Sequence, residues 1–164
     1  MKCVAVYSGT FDPITNGHED IIKRASSIFD RVIIAVAEST KKNTWFTIDE
    51  RFEMALNVSK KYANVETKVM TGLLVDFAKE HKCDVIVRGV RNSKDFEYES
   101  EMAGMNKYLD SELDTIFFPA SDNVQYVSSS FVRELAKFGG DVSNFVSPFV
   151  EKHLHNDGKF YLKW

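Results

Sequence analysis

Five short runs rich in β-branched residues recur along the chain, and longer stretches with apolar residues at helical spacing follow them. The runs are Cys3 to Tyr7, Arg31 to Ala37 (RVIIAVA), Val65 to Met70, Asp84 to Val87 (DVIV) and Thr115 to Phe118. The helical stretches are Gly17 to Phe29, Ile48 to Tyr62, Leu73 to His81, Asp95 to Leu109 and Ser129 to Phe138. Short β-branched runs of that length predict buried strands, and their alternation with helices predicts parallel pairing through right-handed crossovers. The expected fold is α/β, a doubly wound parallel sheet in a single domain spanning residues 1–164. Ser147 and Pro148 read as a cap and first-turn proline that open a short final helix.

Size and charge narrow the partners. A chain of 164 residues that is 44% hydrophobic can bury one sizeable core but not two ordinary ones. A net charge of -3 gives no bulk attraction to nucleic acid or to an anionic membrane, so any anionic ligand must be held by a local basic cluster. The chain has no apolar run of the ~20 residues needed to cross a bilayer and opens on a strand-like segment, so a cytoplasmic location is expected. Cys3 and Cys83 lie in apolar settings without CxxC spacing and read as buried, reduced thiols.

In a doubly wound sheet, ligands bind beyond the carboxyl ends of the strands, so the turns after the strands carry the functional signal. After the first run comes Tyr7 to His18 (YSGTFDPITNGH), which is neither a GxGxxG turn nor a P-loop. Its Thr15-Asn16-Gly17-His18 matches the T/H-x-G-H signature of nucleotidyltransferases. His18 would open the first helix, where free amides and the helix dipole favour phosphate. A capping or core histidine is an equally good reading of those four residues alone. Glu38 to Asn43 follows the second run with two lysines. Arg88-Gly89-Val90-Arg91 follows the fourth, and its guanidiniums suit phosphate clamping or, equally, ion pairs with Asp95, Glu97 or Glu99. After the fifth run, Ser128-Ser129-Ser130 opens a helix, for which a plain serine cap is the simpler account. Convergence of all four turns on one sheet edge favours a polyphosphate site over four unrelated coincidences.

With these residues assembled, the chain resembles bacterial phosphopantetheine adenylyltransferases over nearly its whole length. The resemblance rests on TFDPxTNGH, Phe46 to Arg51 (FTIDER), RGxRxxxDFEYE within Arg88 to Asn106, and the Ser128 to Glu134 turn. It implies a Rossmann-like nucleotidyltransferase fold, ATP and 4'-phosphopantetheine as substrates, dephospho-coenzyme A and pyrophosphate as products, and a homohexamer. By position it implies that Thr10 and His18 contact phosphate groups, with His18 stabilising the transition state. Lys42 and Arg88 would hold the acceptor phosphate, and Thr10 would also touch the acceptor. Phe11, Gly89, Val90, Arg91, Glu99, Val124, Gln125, Tyr126, Val127, Ser128, Ser129 and Ser130 would bind ATP. Leu74 would line the pantetheine arm, with Tyr98 and Asn106 beside it. The Asp122 to Tyr126 segment lacks the Trp that some members carry there, which leaves the base-stacking partner open.

The chemistry asks little of the protein in covalent terms. A phosphate monoester with a second pKa of about 6 is already a nucleophilic dianion at neutral pH, so cations and donors around the α-phosphate matter most. His18, Lys42, Arg91 and Thr10 fit that role. Mg²⁺ is expected to ride on the ATP phosphates and water, since no carboxylate cluster stands out. His81, His153 and His155 read as non-ligands. Two rivals remain: a related enzyme acting on nicotinamide mononucleotide or making a cytidylyl transfer, and a nucleotide-sensing module without turnover.

Overall fold

The computed structural model describes residues 2–39 and 43–156. Its single sheet holds β1 (Val4–Gly9), β2 (Arg31–Ala37), β3 (Val65–Met70), β4 (Val85–Val90) and β5 (Asp114–Pro119), in the order β3-β2-β1-β4-β5. Every neighbouring pair is parallel. The helices are α1 (Asn16–Ile28), α2 (Ile48–Ser59), α3 (Leu74–Glu80), α4 (Ser93–Leu109), α5 (Ser129–Lys137) and α6 (Pro148–Asn156), with a 3₁₀ turn at Asp122–Val124.

The period of two in the central strands sorts their side chains into two cores. Ala5, Tyr7, Val32, Ile34, Val36 and Val87 join α1, α2, α5 and α6 on one face. Val6, Ile33, Ala35 and Ile86 join Val75, Phe77 and Ala78 of α3 on the other. α6 inserts Val150 and Leu154 into the first core and is capped by Ser147, whose hydroxyl accepts the Val150 amide at 3.4 Å.

Several expectations are corrected. β3 and β5 lie at the sheet's two edges and are largely half-exposed rather than buried, because each pairs with one neighbour only. β1 and β4 run past their apolar residues to Gly9 and Val90, since main-chain pairing continues through polar positions and carries them into the ligand edge. α4 begins at Ser93 behind an Asn92 cap and, despite its helical spacing, buries no side chain. Cys3 and Cys83 are free but only partly buried; burial pushes both thiols up, Cys83 to about 11. Among the described residues, no helix is long and apolar enough to cross a membrane.

Candidate active site

The chain leaves central β1 toward α1 and β2 on one side, while β4 and β5 build outward on the other. Loops after β1 and β4 therefore diverge, and a crevice forms between them. A cleft of about 470 Å³ opens there. Its walls come from Thr10, Phe11 and His18 after β1, Ser39, Asn43 and Thr44 after β2, Arg88 to Arg91 at the end of β4, and Val124 with Val127 to Ser130 after β5. A smaller cavity of about 170 Å³ shares Ser8, Arg88 and Glu99 with it and is lined by Leu74, Tyr98, Met102 and Asn106.

His18 is the third residue of α1, behind a Thr15 cap. The Thr15 hydroxyl accepts the His18 amide at 3.4 Å, and the Thr15 amide donates to His18 Nδ1 at 2.9 Å. The capping and the functional readings of this histidine are thus both open at once. One ring nitrogen is used by the cap, which leaves Nε2 as the protonated donor of a neutral ring. Burial, then Arg91 and Arg88, pulls the imidazole pKa down to about 4, so the ring is neutral at pH 7. Its edge packs on Phe11 at 5.0 Å and 81°. Phe11 sits in the left-handed region (φ 49°), a costly conformation for an aromatic residue and one that marks functional sites. Gly9 makes room for it, because a Cβ there would lie 3.1 Å from the Phe11 ring.

The cleft's arginines are each held by an acid. Arg88 forks onto Glu99 through Nε and Nη2, both at 2.7 Å, and donates from Nη1 to the Ser8 carbonyl at 2.6 Å. Arg91 Nε donates to Asp95 Oδ2 at 2.8 Å and its Nη1 to the Val127 carbonyl at 3.4 Å. Arg133 donates to the Asp12 carbonyl at 2.6 Å and to the Ser130 hydroxyl at 3.2 Å. The ion-pair reading of the Arg88/Arg91 pair therefore holds, with Glu99 and Asp95 as the partners, and both arginines also line the cleft. The three serines are likewise engaged. Ser128 caps α5 through the Phe131 amide, Ser129 donates to the Pro13 carbonyl at 2.7 Å, and Ser130 accepts from Arg133. A phosphate at this turn would find main-chain amides of the first helical turn, which have no partner within the helix.

Residues 6–135 match the cytidylyltransferase-like family model. A phosphopantetheine adenylyltransferase from Polynucleobacter necessarius subsp. necessarius (strain STIR1) is 55% identical over 92% of this chain and 92% of its own length. Another from Bordetella petrii is 51% identical over 96% of this chain and 92% of its own. The chain belongs to the phosphopantetheine adenylyltransferases. Solved structures place this member's fold among nucleotidyltransferases. A putative nicotinate-nucleotide adenylyltransferase from Vibrio parahaemolyticus superposes with a TM-score of 0.72 at 20% identity, covering 96% of this chain and 94% of its own. The Plasmodium falciparum nicotinic acid mononucleotide adenylyltransferase complexed with APC superposes with 0.66 at 16% identity, covering 99% and 100%.

Most of the positions singled out from the sequence meet at one rim. Thr10, Phe11, His18, Arg88, Gly89, Val90, Arg91, Glu99, Val124, Val127, Ser128, Ser129 and Ser130 line the main cleft. Leu74, with Tyr98 and Asn106, lines the adjoining cavity instead. Gln125 and Tyr126 line neither: Gln125 donates to the Arg91 carbonyl at 3.4 Å, and Tyr126 is 85% exposed. Lys42 lies outside the described residues. Sequence reasoning missed Asp12, Arg51 and Arg133, while Asp95 was named only as an ion-pair alternative. Arg133 was within reach, since it falls one helical turn after Ser129 and Ser130 and so shares their face. The others bond to main-chain groups or partners that only the fold brings near.

Proposed function

We propose that this chain joins the adenylyl group of ATP to 4'-phosphopantetheine, giving dephospho-coenzyme A and pyrophosphate without a covalent enzyme intermediate. The observation that carries the reading is the identity of 51–55% to proteins of that name over more than nine-tenths of both chains. An oxygen of the acceptor phosphate forms a bond to the α-phosphorus as the bond to the β-phosphate oxygen breaks, and the electron pair leaves on pyrophosphate. The acceptor is already a dianion, so no protein base is needed. His18 donates from Nε2 to an α-phosphate oxygen as charge builds there, with Arg91 beside it and Thr10 and Lys42 orienting the reacting groups. Arg88, fixed by Glu99, receives the acceptor's phosphate, and Leu74, Tyr98 and Asn106 flank the pantetheine arm. The main cleft takes ATP.

Mg²⁺ fits as a companion of the nucleotide, bound by its phosphates and water. The cleft carboxylates Asp12, Asp95 and Glu99 each face a guanidinium, and the described residues contain no metal-binding cluster of three or more His, Cys, Asp or Glu side chains. When bound, the ion would neutralise the leaving pyrophosphate. A homohexamer working in the cytoplasm is part of the same reading. Supporting an assembly, Tyr98, Met102, Met105 and Leu109 recur at helical spacing on one side of α4 and are exposed.

The test is pyrophosphate release with ATP, Mg²⁺ and one acceptor at a time. Release with 4'-phosphopantetheine but not nicotinamide mononucleotide is expected. Release with nicotinamide mononucleotide alone would contradict the reading, and ATP binding without release would make the chain a sensing module.

A further inference from the structure

Arg51 of α2 is 2% exposed, and its hydrogen bonds run to three main-chain carbonyls. Nη1 donates to Thr10 at 2.7 Å and to Ala37 at 2.8 Å, and Nε donates to Phe46 at 3.3 Å. A guanidinium is costly to desolvate and is usually buried against a carboxylate. Here burial lowers its pKa, with the charges of Asp12 and Glu38 acting in the opposite sense. The choice of carbonyls is what sets this arginine apart. Thr10 follows β1, Ala37 ends β2, and Phe46 precedes the Thr47 cap of α2. The two ends of the 38–45 segment and the β1 exit therefore meet on one planar fork. Asp12 closes the arrangement from the other side: its carboxylate accepts the Trp45 amide at 2.9 Å and the Phe46 amide at 3.0 Å. The segment between these anchors contributes Ser39, Asn43 and Thr44 to the cleft wall.

From this geometry we infer that Arg51 is a positioning residue, which fixes Thr10 and both feet of the 38–45 segment in one arrangement relative to His18. The inference rests on the adenylyl-transfer reading of the cleft. Arg51 sends its hydrogen bonds to Thr10, Ala37 and Phe46 and none to the 89–91 or 124–130 walls proposed for ATP, so its influence falls first on Thr10 and the β2 exit and less on nucleotide capture. A lysine keeps the charge but lacks the planar, multi-donor fork that spans three carbonyls.

The experiment compares Arg51→Lys and Arg51→Met with the wild-type chain by amide hydrogen exchange, by ATP affinity and by pyrophosphate release with 4'-phosphopantetheine. Expected for Arg51→Lys is faster exchange confined to residues around Thr10 and 43–47, ATP affinity close to wild type, and kcat lower by roughly tenfold or more. Arg51→Met should extend the same pattern, or unfold, in which case Arg51→Lys carries the test. Unchanged exchange and kcat in Arg51→Lys would overturn the inference. So would exchange that rises across the whole sheet with ATP affinity falling in step, the sign of a merely structural arginine. Failure of the wild-type chain to release pyrophosphate would sink the functional reading separately, while the exchange pattern reports on the anchor itself.

Discussion

The main-chain amide of Thr15 donates to Nδ1 of His18 across 2.9 Å, and this one bond fixes both the tautomer and the tilt of the imidazole. Nε2 is left as the donor proposed to meet phosphate. His18→Ala removes that donor and one half of a capping box. The expected cost in stability is about 1 kcal/mol, whereas kcat should fall roughly a hundredfold or more. Thermal melts beside steady-state rates check both; an unchanged kcat would remove His18 from catalysis.

The same ring sets an acid limit on the fold. Its folded pKa of about 4 lies below the ordinary value of 6.5 because burial, Arg91 and Arg88 disfavour the cation. The unfolded chain therefore binds the extra proton first as pH falls. The contribution is fully present above 6.5 and is lost as pH drops toward 4. Urea unfolding across that window should show a steeper loss of stability for the wild type than for His18→Gln. Catalysis differs, since its acid limb should follow the acceptor phosphate near pH 6 rather than His18.

Glu99 was expected to contact ATP, yet its carboxylate is occupied by Arg88. Glu99→Gln keeps the shape and removes the charge. We expect a stability loss of roughly 2 kcal/mol from the partly buried pair. The KM for 4'-phosphopantetheine should rise about tenfold, near 1.4 kcal/mol, with ATP affinity nearly unchanged. A rise confined to the KM for ATP would return Glu99 to the nucleotide.

Met105 is 62% exposed on the apolar side of α4. Placing a charge there with Met105→Glu should leave the protomer folded and shift sedimentation from the proposed hexamer to smaller species. A wild-type chain that sediments as a monomer would contradict the assembly.

What the sequence displayed and what it concealed follow from how far apart in the chain each interaction acts. β2 and β3 were legible to the residue, because the apolar RVIIAVA and the β-branched VETKVM coincide with their pairing. The ends of β1 and β4 were not: Ser8-Gly9 and Arg88-Gly89 look like loop but pair as strand. The 3₁₀ turn at Asp122–Val124 has no periodic signal, and its anchor, the Ser121 hydroxyl donating to Asp20 at 2.9 Å, spans a hundred residues of chain. His18, Arg88 and Arg91 could be singled out from local motifs. Their fixing partners, Glu99 and Asp95, stood in the helix that follows as the ion-pair alternative, and the structure shows those pairs. Arg51 and Asp12 bond chiefly to main-chain groups, which no residue pattern reveals.

The central claim is that the acceptor's own phosphate oxygen attacks the α-phosphorus of ATP. Turnover of 4'-phosphopantetheine carrying ¹⁸O in its phosphate, followed by mass spectrometry of both products, tests this most directly. The account predicts all label in dephospho-coenzyme A, one atom of it bridging the two phosphorus atoms, and unlabelled pyrophosphate. Label in the pyrophosphate, or AMP formed in place of dephospho-coenzyme A, would contradict it.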